Sequence, residues 1–476
     1  FLIYKYMKKI KKIFKSNVLF IVYFPLILNY LINFLNNKDY KEFFLLDNYI
    51  KVLSFLLGSI FLYLVTISIM KSLKLNSFSL SFAYFLLSFF IIDNIFLPIT
   101  KLIQFKSTFI IISIFWILLI YKQSKNLKNL IKVGLSYLLW RTYNLLFFSK
   151  IGDLTYYQEL NTDVTVQWFE LAKMIYENNY FYALENNLIE GQGLLPSYIQ
   201  SLFLGMGFYP TDFMFIQTSS NLLFFLGILL IFDLKINIRN KYILSFVFMI
   251  FILNNEWLRY LLVNSLMTEG IVSLFIAIFL VNFKENYEYV NWQSGVFFLG
   301  FGSLVLTKNF ISLLVMVLIF VSLLKVKKNI FIICGLIIHT FNYIYQKIYF
   351  SQFQNFAYTS EIDFRDLLFD LIFLRDLKFD NVLNIINQIL IDRPTAYLLT
   401  IFIISNFITF TIFKRYKFSE IFIFIFVIFN YFLVNILYIS YWQNIEYESS
   451  YRYVINCFHL IFVSVGLQLS SFEKSV

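Results

Sequence analysis

The stretch that decides the architecture is Leu194 to Phe208, LLPSYIQSLFLGMGF, because counting it as a membrane crossing would reverse the orientation of every later segment. It falls short of the roughly 20 apolar residues that a crossing helix needs. It also opens on Pro196 and is interrupted by Gly205 and Gly207, which suits an interfacial or re-entrant helix. The positive-inside rule agrees. With this stretch not crossing, the basic connections share one side: Lys5 to Lys15, Lys71 with Lys74, Lys122 to Lys132, Lys235 with Arg239 and Lys241, Lys325 to Lys328, and Lys414 to Lys417. Both termini are then cytoplasmic, and two long loops, 149 to 193 and 346 to 394, face outward.

The rest of the chain is what makes a bilayer the relevant solvent. Hydrophobic residues make up 60% and charged residues 14%, and the mean hydropathy is +0.73, which predicts an all-α polytopic membrane protein. Spanning segments are expected at 17–35, 50–71, 79–97, 107–121, 130–148, 212–232, 242–256, 262–282, 293–306, 309–324, 329–345, 395–413, 418–441 and 452–470, fourteen in all. The net charge of +11 reflects cytoplasmic lysines that hold the orientation against anionic lipid. The 62 Phe and 34 Tyr read as lipid-facing filler. Cys334 and Cys457 lie in apolar segments, which gives no support to a disulfide framework or a cysteine metal site. The sequence opens on Phe1, so the expected start is an earlier residue or Met7, and the first apolar segment reads as an anchor rather than a cleavable signal. No nucleic-acid module or glycine loop occurs.

A charge at the centre of a membrane helix costs roughly +2.5 to +3.5 kcal/mol. Nearly all acidic residues accordingly fall in loops on the outer side, and the chemistry is expected there. In the first outer loop the apolar residues Val164, Trp168, Leu171, Ala172 and Ile175 recur at helical spacing, with Asn161 and Thr162 as candidate caps and Asn178 and Asn179 at the exit. Asp163 enters the first turn of this short amphipathic helix. There it either complements the helix dipole, worth about 0.3–1 kcal/mol, or serves as a carboxylate at headgroup depth that accepts a proton from a hydroxyl.

This outer loop resembles the first extracytoplasmic loop of the GT-C glycosyltransferases, which include the protein O-mannosyltransferases and the aminoarabinose transferases that modify lipid A. The resemblance rests on Asp163, Trp168, Ala172, the turn from Asn178 to Tyr180, and then Gly193, Pro196, Tyr198 and Gly205. It continues through 262–283 with Glu269, through Gly295 to Lys308 where a helix ends in Thr307 and Lys308, and to the late outer Glu448, Arg452 and Tyr453. In relatives the acidic loop usually follows the first span, whereas here four spans precede the one that leads into it, so residues 1–128 look like a four-helix membrane extension. The catalytic membrane core is then 129–350 with outer loop 149–193, the second outer loop is 351–394, and 395–476 forms the C-terminal transmembrane helices.

The resemblance implies an inverting glycosyltransferase that takes a sugar from a polyprenyl-phosphate donor to an extracytoplasmic acceptor: lipid A, a cell-surface glycan or a protein. Asp163 is the implied base and Asp153 its rival. Lys308, Arg452, Arg259 and Tyr453 are the implied contacts to donor phosphate, although each cation also fits a snorkelling helix end. Glu190, Glu269 and Glu448 are candidates for an acceptor hydroxyl or a divalent metal, and some relatives use such a metal. Expected partners are membrane lipids, the lipid-linked donor and the acceptor. A polysaccharide polymerase or ligase, or a non-enzymatic lipid or glycan flippase, are the alternatives. Arg141 is the least expected residue within a span and should face protein or a water-filled cavity, or else snorkel. His339 and His459 read as buried, hydrogen-bonded histidines. The second outer loop reads as two amphipathic helices, 363–374 and 382–390.

Overall fold

The computed structural model describes residues 46–95, 101–124, 127–147, 169–186, 194–206, 226–254, 268–287, 393–413, 418–428 and 457–473, with single helical positions at 337, 340, 341 and 344. In chain order the helices are α1 (Leu46–Ser72), α2 (Phe78–Ile95), α3 (Phe105–Ser124), α4 (Leu127–Phe147), α5 (Glu170–Glu177), α6 (Tyr180–Glu185), α7 (Leu195–Met206), α8 (Ile238–Asn254), α9 (Thr268–Tyr287), α10 (Arg393–Ile408), α11 (Phe418–Ile428) and α12 (Phe458–Glu473). A π-helical turn, Thr409–Phe413, extends α10, and residues 226–233 are helical. Among the described residues there is no strand, so the all-α expectation holds. The apolar segments expected to be helical are so wherever they are described. In the 262–282 segment the described helix starts at Thr268 and runs on through Lys284 and Glu285 to Tyr287. The segments 17–35, 293–306 and 309–324 lie outside the described residues, as do both expected helices of the second outer loop.

α2 is apolar on every side, carries no charge before Asp93, and is accordingly buried, with Leu80, Ala83, Leu87 and Phe90 almost inaccessible. α1 lies beside it and packs along α4 and α3. Gly58 sets how closely α1 and α4 approach, since a Cβ there would stand 2.9 Å from the Trp140 ring. Phe61 stacks on the same ring at 5.6 Å. On its other side α2 meets α9, which meets α12, and α8, α10 and α11 pack around α12.

Beside its apolar core, the described part of the chain buries several hydroxyls and exposes many large apolar side chains. Thr66, Ser79, Ser81, Ser273 and Ser464 are wholly buried, while Ile111, Leu118, Leu135, Leu139 and Phe407 are exposed. One helix among those described, Phe105–Lys122 within α3, is long and apolar enough to cross a membrane, with a mean hydropathy of 1.7, and only 28% of it is buried.

The N-terminal end of α2 is tied down by distant residues. α1 terminates in a Schellman motif, with Leu75 N–H donating to Met70 C=O at 2.9 Å and Lys74 N–H to Lys71 C=O at 3.3 Å. Lys74 occupies the left-handed position at φ 55°. Ser77 then caps α2 by accepting from Leu80 N–H at 3.1 Å. The Asp233 carboxylate accepts from Phe78 N–H at 3.1 Å and Ser79 N–H at 2.8 Å, and also from the Ser77 and Ser79 hydroxyls. Three of the first-turn amides that a helix leaves unpaired are thereby satisfied. Glu473, in the last turn of α12, closes the start of α8 more lightly, accepting from the N–H of Asn237, the residue before the helix, at 2.8 Å and from the Asn240 side chain.

Candidate functional site

The opposite end of α2 is assembled from α5, α6 and α7. In α5 the residues at helical spacing, Leu171, Ala172 and Ile175, are all buried, as the sequence pattern predicts for this part of the loop. Glu170 and Lys173 pair at 3.0 Å on the exposed face, which contributes little. α5 ends at Asn178, whose N–H donates to Met174 C=O. Asn179 at once caps α6, its side chain accepting from Tyr182 N–H at 2.8 Å. The sequence read these two asparagines as a turn, and the short helix α6 beyond them went unpredicted.

That elbow is clamped to the connection leading into α3. Phe105 N–H, one of the unpaired first-turn donors of α3, donates to Asn178 C=O at 2.7 Å. The Asn179 amide donates to Lys101 C=O at 3.3 Å. Lys101 and Lys106 lie over the Phe181 and Tyr176 rings at 5.0 and 4.8 Å, geometry that holds a cation against an aromatic face.

α7 is the decisive stretch. Pro196 sits in its first turn, where a missing N–H costs nothing. Twelve residues at 1.5 Å each give a length of about 18 Å, short of the roughly 30 Å of a hydrocarbon core. Apart from Gly205 the whole helix is buried. Gly205 lets α7 approach α3, for a Cβ there would meet the Phe109 ring at 3.1 Å.

Tyr198 organises this end. Its ring meets those of Phe90, Tyr180 and Phe105 edge-on at 5.2, 5.6 and 5.8 Å. Its hydroxyl donates to the Asp93 carboxylate, buried near the end of α2. Burial, and after it the Asp93 charge, push the Tyr198 phenol well above its ordinary value and keep it a donor. Ser197, Gln200 and Ser201 form a polar stripe at i, i+3 and i+4 on the same helix, all three fully buried. Ser201 donates to Tyr198 C=O at 2.7 Å. Neither polar atom of the Gln200 amide, nor the Ser197 hydroxyl, has a hydrogen-bond partner.

At the other end Asp233 is governed by opposing effects: burial raises its carboxyl above the usual range, and the bonds from Ser79, Phe78 and Ser77 pull it back. Lys241, which donates to Phe232 C=O, is lowered by burial and raised again by Asp233 and Glu473.

Asp163, Asp153, Glu190, Arg259, Lys308, Glu448, Arg452 and Tyr453 all lie outside the described residues, as does His339. Glu269 falls in the first turn of α9. Arg141 is half-buried on α4. His459 is buried as expected, with Nδ1 and the Ser273 hydroxyl 3.2 Å apart. Among the described residues no group of three or more His, Cys, Asp or Glu is placed to hold a metal.

Sequence reasoning passed over Asp93, Asp233 and Gln200. Asp93 carried a readable signal, being the one charge inside the apolar run 79–97. Comparison with known proteins found no matching family model, no matching curated protein and no matching solved structure.

Proposed function

We propose that this chain is a polytopic membrane glycosyltransferase of the inverting type, working on the outer face of the cytoplasmic membrane with a polyprenyl-phosphate sugar as donor. The membrane reading is supported by α3. A helix that is both apolar and mostly unburied, beside the exposed leucines of α4, needs an apolar solvent rather than water. Orientation is supported by the two ends of α2. The basic connections around Lys71, Lys74, Lys235 and Lys241 meet where Asp233 holds Ser77 and Ser79. The α5–α7 assembly lies some 15 residues away along α2, about 22 Å at 1.5 Å per residue.

The observation that carries the enzymatic reading is the gathering of α5, α6 and α7 around one buried carboxylate. These helices bear Ala172, Asn178 to Tyr180, Pro196, Tyr198 and Gly205, the described share of the GT-C-like pattern. In the proposed reaction Asp163, or Asp153 in its place, removes the proton from an acceptor hydroxyl. That oxygen bonds to the anomeric carbon as the bond from carbon to phosphate oxygen breaks, and inversion follows from the single displacement. Lys308 and Arg452, with Arg259 and Tyr453, stabilise the departing polyprenyl phosphate. Glu190, Glu269 and Glu448 orient the acceptor or hold a divalent cation. Asp93 and Tyr198 position α7.

The test uses purified protein in lipid with a labelled polyprenyl-phosphate sugar and membrane extract as acceptor. Asp163→Asn should keep donor binding and lose about 10²- to 10⁴-fold in transfer, the usual contribution of a general base. Loss only in Asp153→Asn moves the base to that residue. Full transfer in both variants ends the mechanism, and lipid movement across the bilayer without transfer hands the protein to the flippase class. Orientation is read separately by cysteine labelling, with positions 185 and 370 reactive from outside and 127 and 237 only after permeabilisation.

A further inference from the structure

Among the described residues, the other buried side-chain amides each donate within their own helix, although the carbonyl oxygens of Asn406 and Gln468 lack a partner. Asn282 donates to Ile278 C=O at 2.8 Å and Asn406 to Phe402 C=O at 2.8 Å. Gln468 donates to the Ser464 hydroxyl at 3.3 Å. Gln200 breaks the pattern. It is fully buried in α7, yet its amide nitrogen and its carbonyl oxygen both lack a partner, and so does the Ser197 hydroxyl one turn earlier. Leaving such groups unpaired in an apolar interior is costly, so a native structure that keeps them calls for an explanation.

The chemistry of the stripe narrows what it is for. A primary amide offers two donors and an acceptor, and a serine hydroxyl offers both roles. A phosphate or carboxylate would use only the donors, and an ammonium only the acceptors. A hydroxyl uses both. We infer that Ser197 and Gln200 form a binding site for the hydroxyls of a neutral polyol, in chemical class a sugar, presented at the α5–α7 end of the bundle. The inference rests on the glycosyltransferase reading for its setting and adds to it a named sugar-contacting helix, which the sequence resemblance assigned to no ligand.

The sugar could arrive free or as a glycolipid headgroup, and the experiment separates the two. Full-length protein is reconstituted in phosphatidylcholine nanodiscs, and its unfolding temperature is followed with methyl α-mannoside in solution or with monoglucosyl diacylglycerol in the disc. Phosphatidylglycerol serves as the lipid control. Wild type should be stabilised by at least one sugar probe and not by the control, and the probe that acts identifies the source. Gln200→Leu should unfold at the same or a higher temperature without sugar, having shed an unpaired amide, and should lose the sugar-dependent shift. Ser197→Ala, a smaller change, should weaken that shift and covers the case in which the leucine variant does not fold.

A wild type that shifts with neither sugar means water alone occupies the stripe and overturns the inference. An undiminished shift in both variants overturns it as well. The readout is binding without turnover, so the two readings fail separately. A protein that transfers sugar normally while both variants keep the full shift loses this site alone. A protein that binds sugar through Gln200 but never transfers it loses the enzymatic reading alone.

Discussion

The two ends of α2 handle a buried carboxylate in opposite ways. At the N-terminal end Asp233 accepts from two backbone amides and two serine hydroxyls, and the first turn of the helix is closed. At the C-terminal end Asp93 receives the Tyr198 hydroxyl, and the helix that supplies it carries an unpaired amide at Gln200. A saturated polar cluster rigidifies, whereas an incompletely satisfied one is where function is built at the expense of stability. The contrast separates a closed end from an open one within one helix of 18 residues.

The strongest way to break this comparison is Asp233→Ala. It strands the first-turn donors of α2 and removes an acid from the positive end of the helix dipole, so it should cost about 3–5 kcal/mol by the sum of lost caps and unpaired donors. Thermal unfolding of the purified protein measures this. A loss under 1 kcal/mol would mean that the cluster is no keystone.

Tyr198→Phe tests the other end. Removing one hydroxyl from a buried carboxylate should cost about 1–3 kcal/mol, and adding Asp93→Leu should recover much of that, giving a coupling in the double-mutant cycle. Strict additivity of the two changes would show that the bond between them carries no energy.

Lys74→Gly gives the smallest effect and sharpens the scaffold side. Glycine holds the left-handed conformation without the Cβ penalty, so stability should rise by about 0.5–1 kcal/mol. An unchanged or lower unfolding temperature would argue against the Schellman geometry.

What could be read from sequence follows the range of the interaction. The buried face of α5 was legible because Leu171, Ala172 and Ile175 lie within one and a half turns of each other. So was the burial of His459, since a lone histidine in an apolar run has few other fates. The shortness of α7 followed from Pro196 and the glycines. α6 was missed because six residues make too short a period to stand out, and only its cap, Asn179, showed. Asp233 was opaque for a different reason. Its partners lie 154 to 156 residues away in sequence, and no local pattern encodes a cap supplied from that distance. Gln200 looked like one polar residue in an apolar stretch, and its missing partners became visible only in the packed helix. The residues expected to do the chemistry, Asp163, Lys308 and Arg452 among them, fall outside the described positions, so their case still stands on pattern and sidedness.

The remote caps also impose a timetable on the growing chain. Asn240 leaves the ribosome 233 residues before Glu473. At about 5–20 residues per second, the first turn of α8 waits roughly 10–50 s for the acid that closes it. α2 waits roughly 8–30 s for Asp233 by the same arithmetic over 156 residues. Both helices are therefore made with open N-terminal groups and sealed afterwards, the second from the last turn of α12. Chains cut short before Glu473 keep the opening at α8, and in the proposed topology that defect lies with the basic connections on the cytoplasmic side, where quality control would meet it.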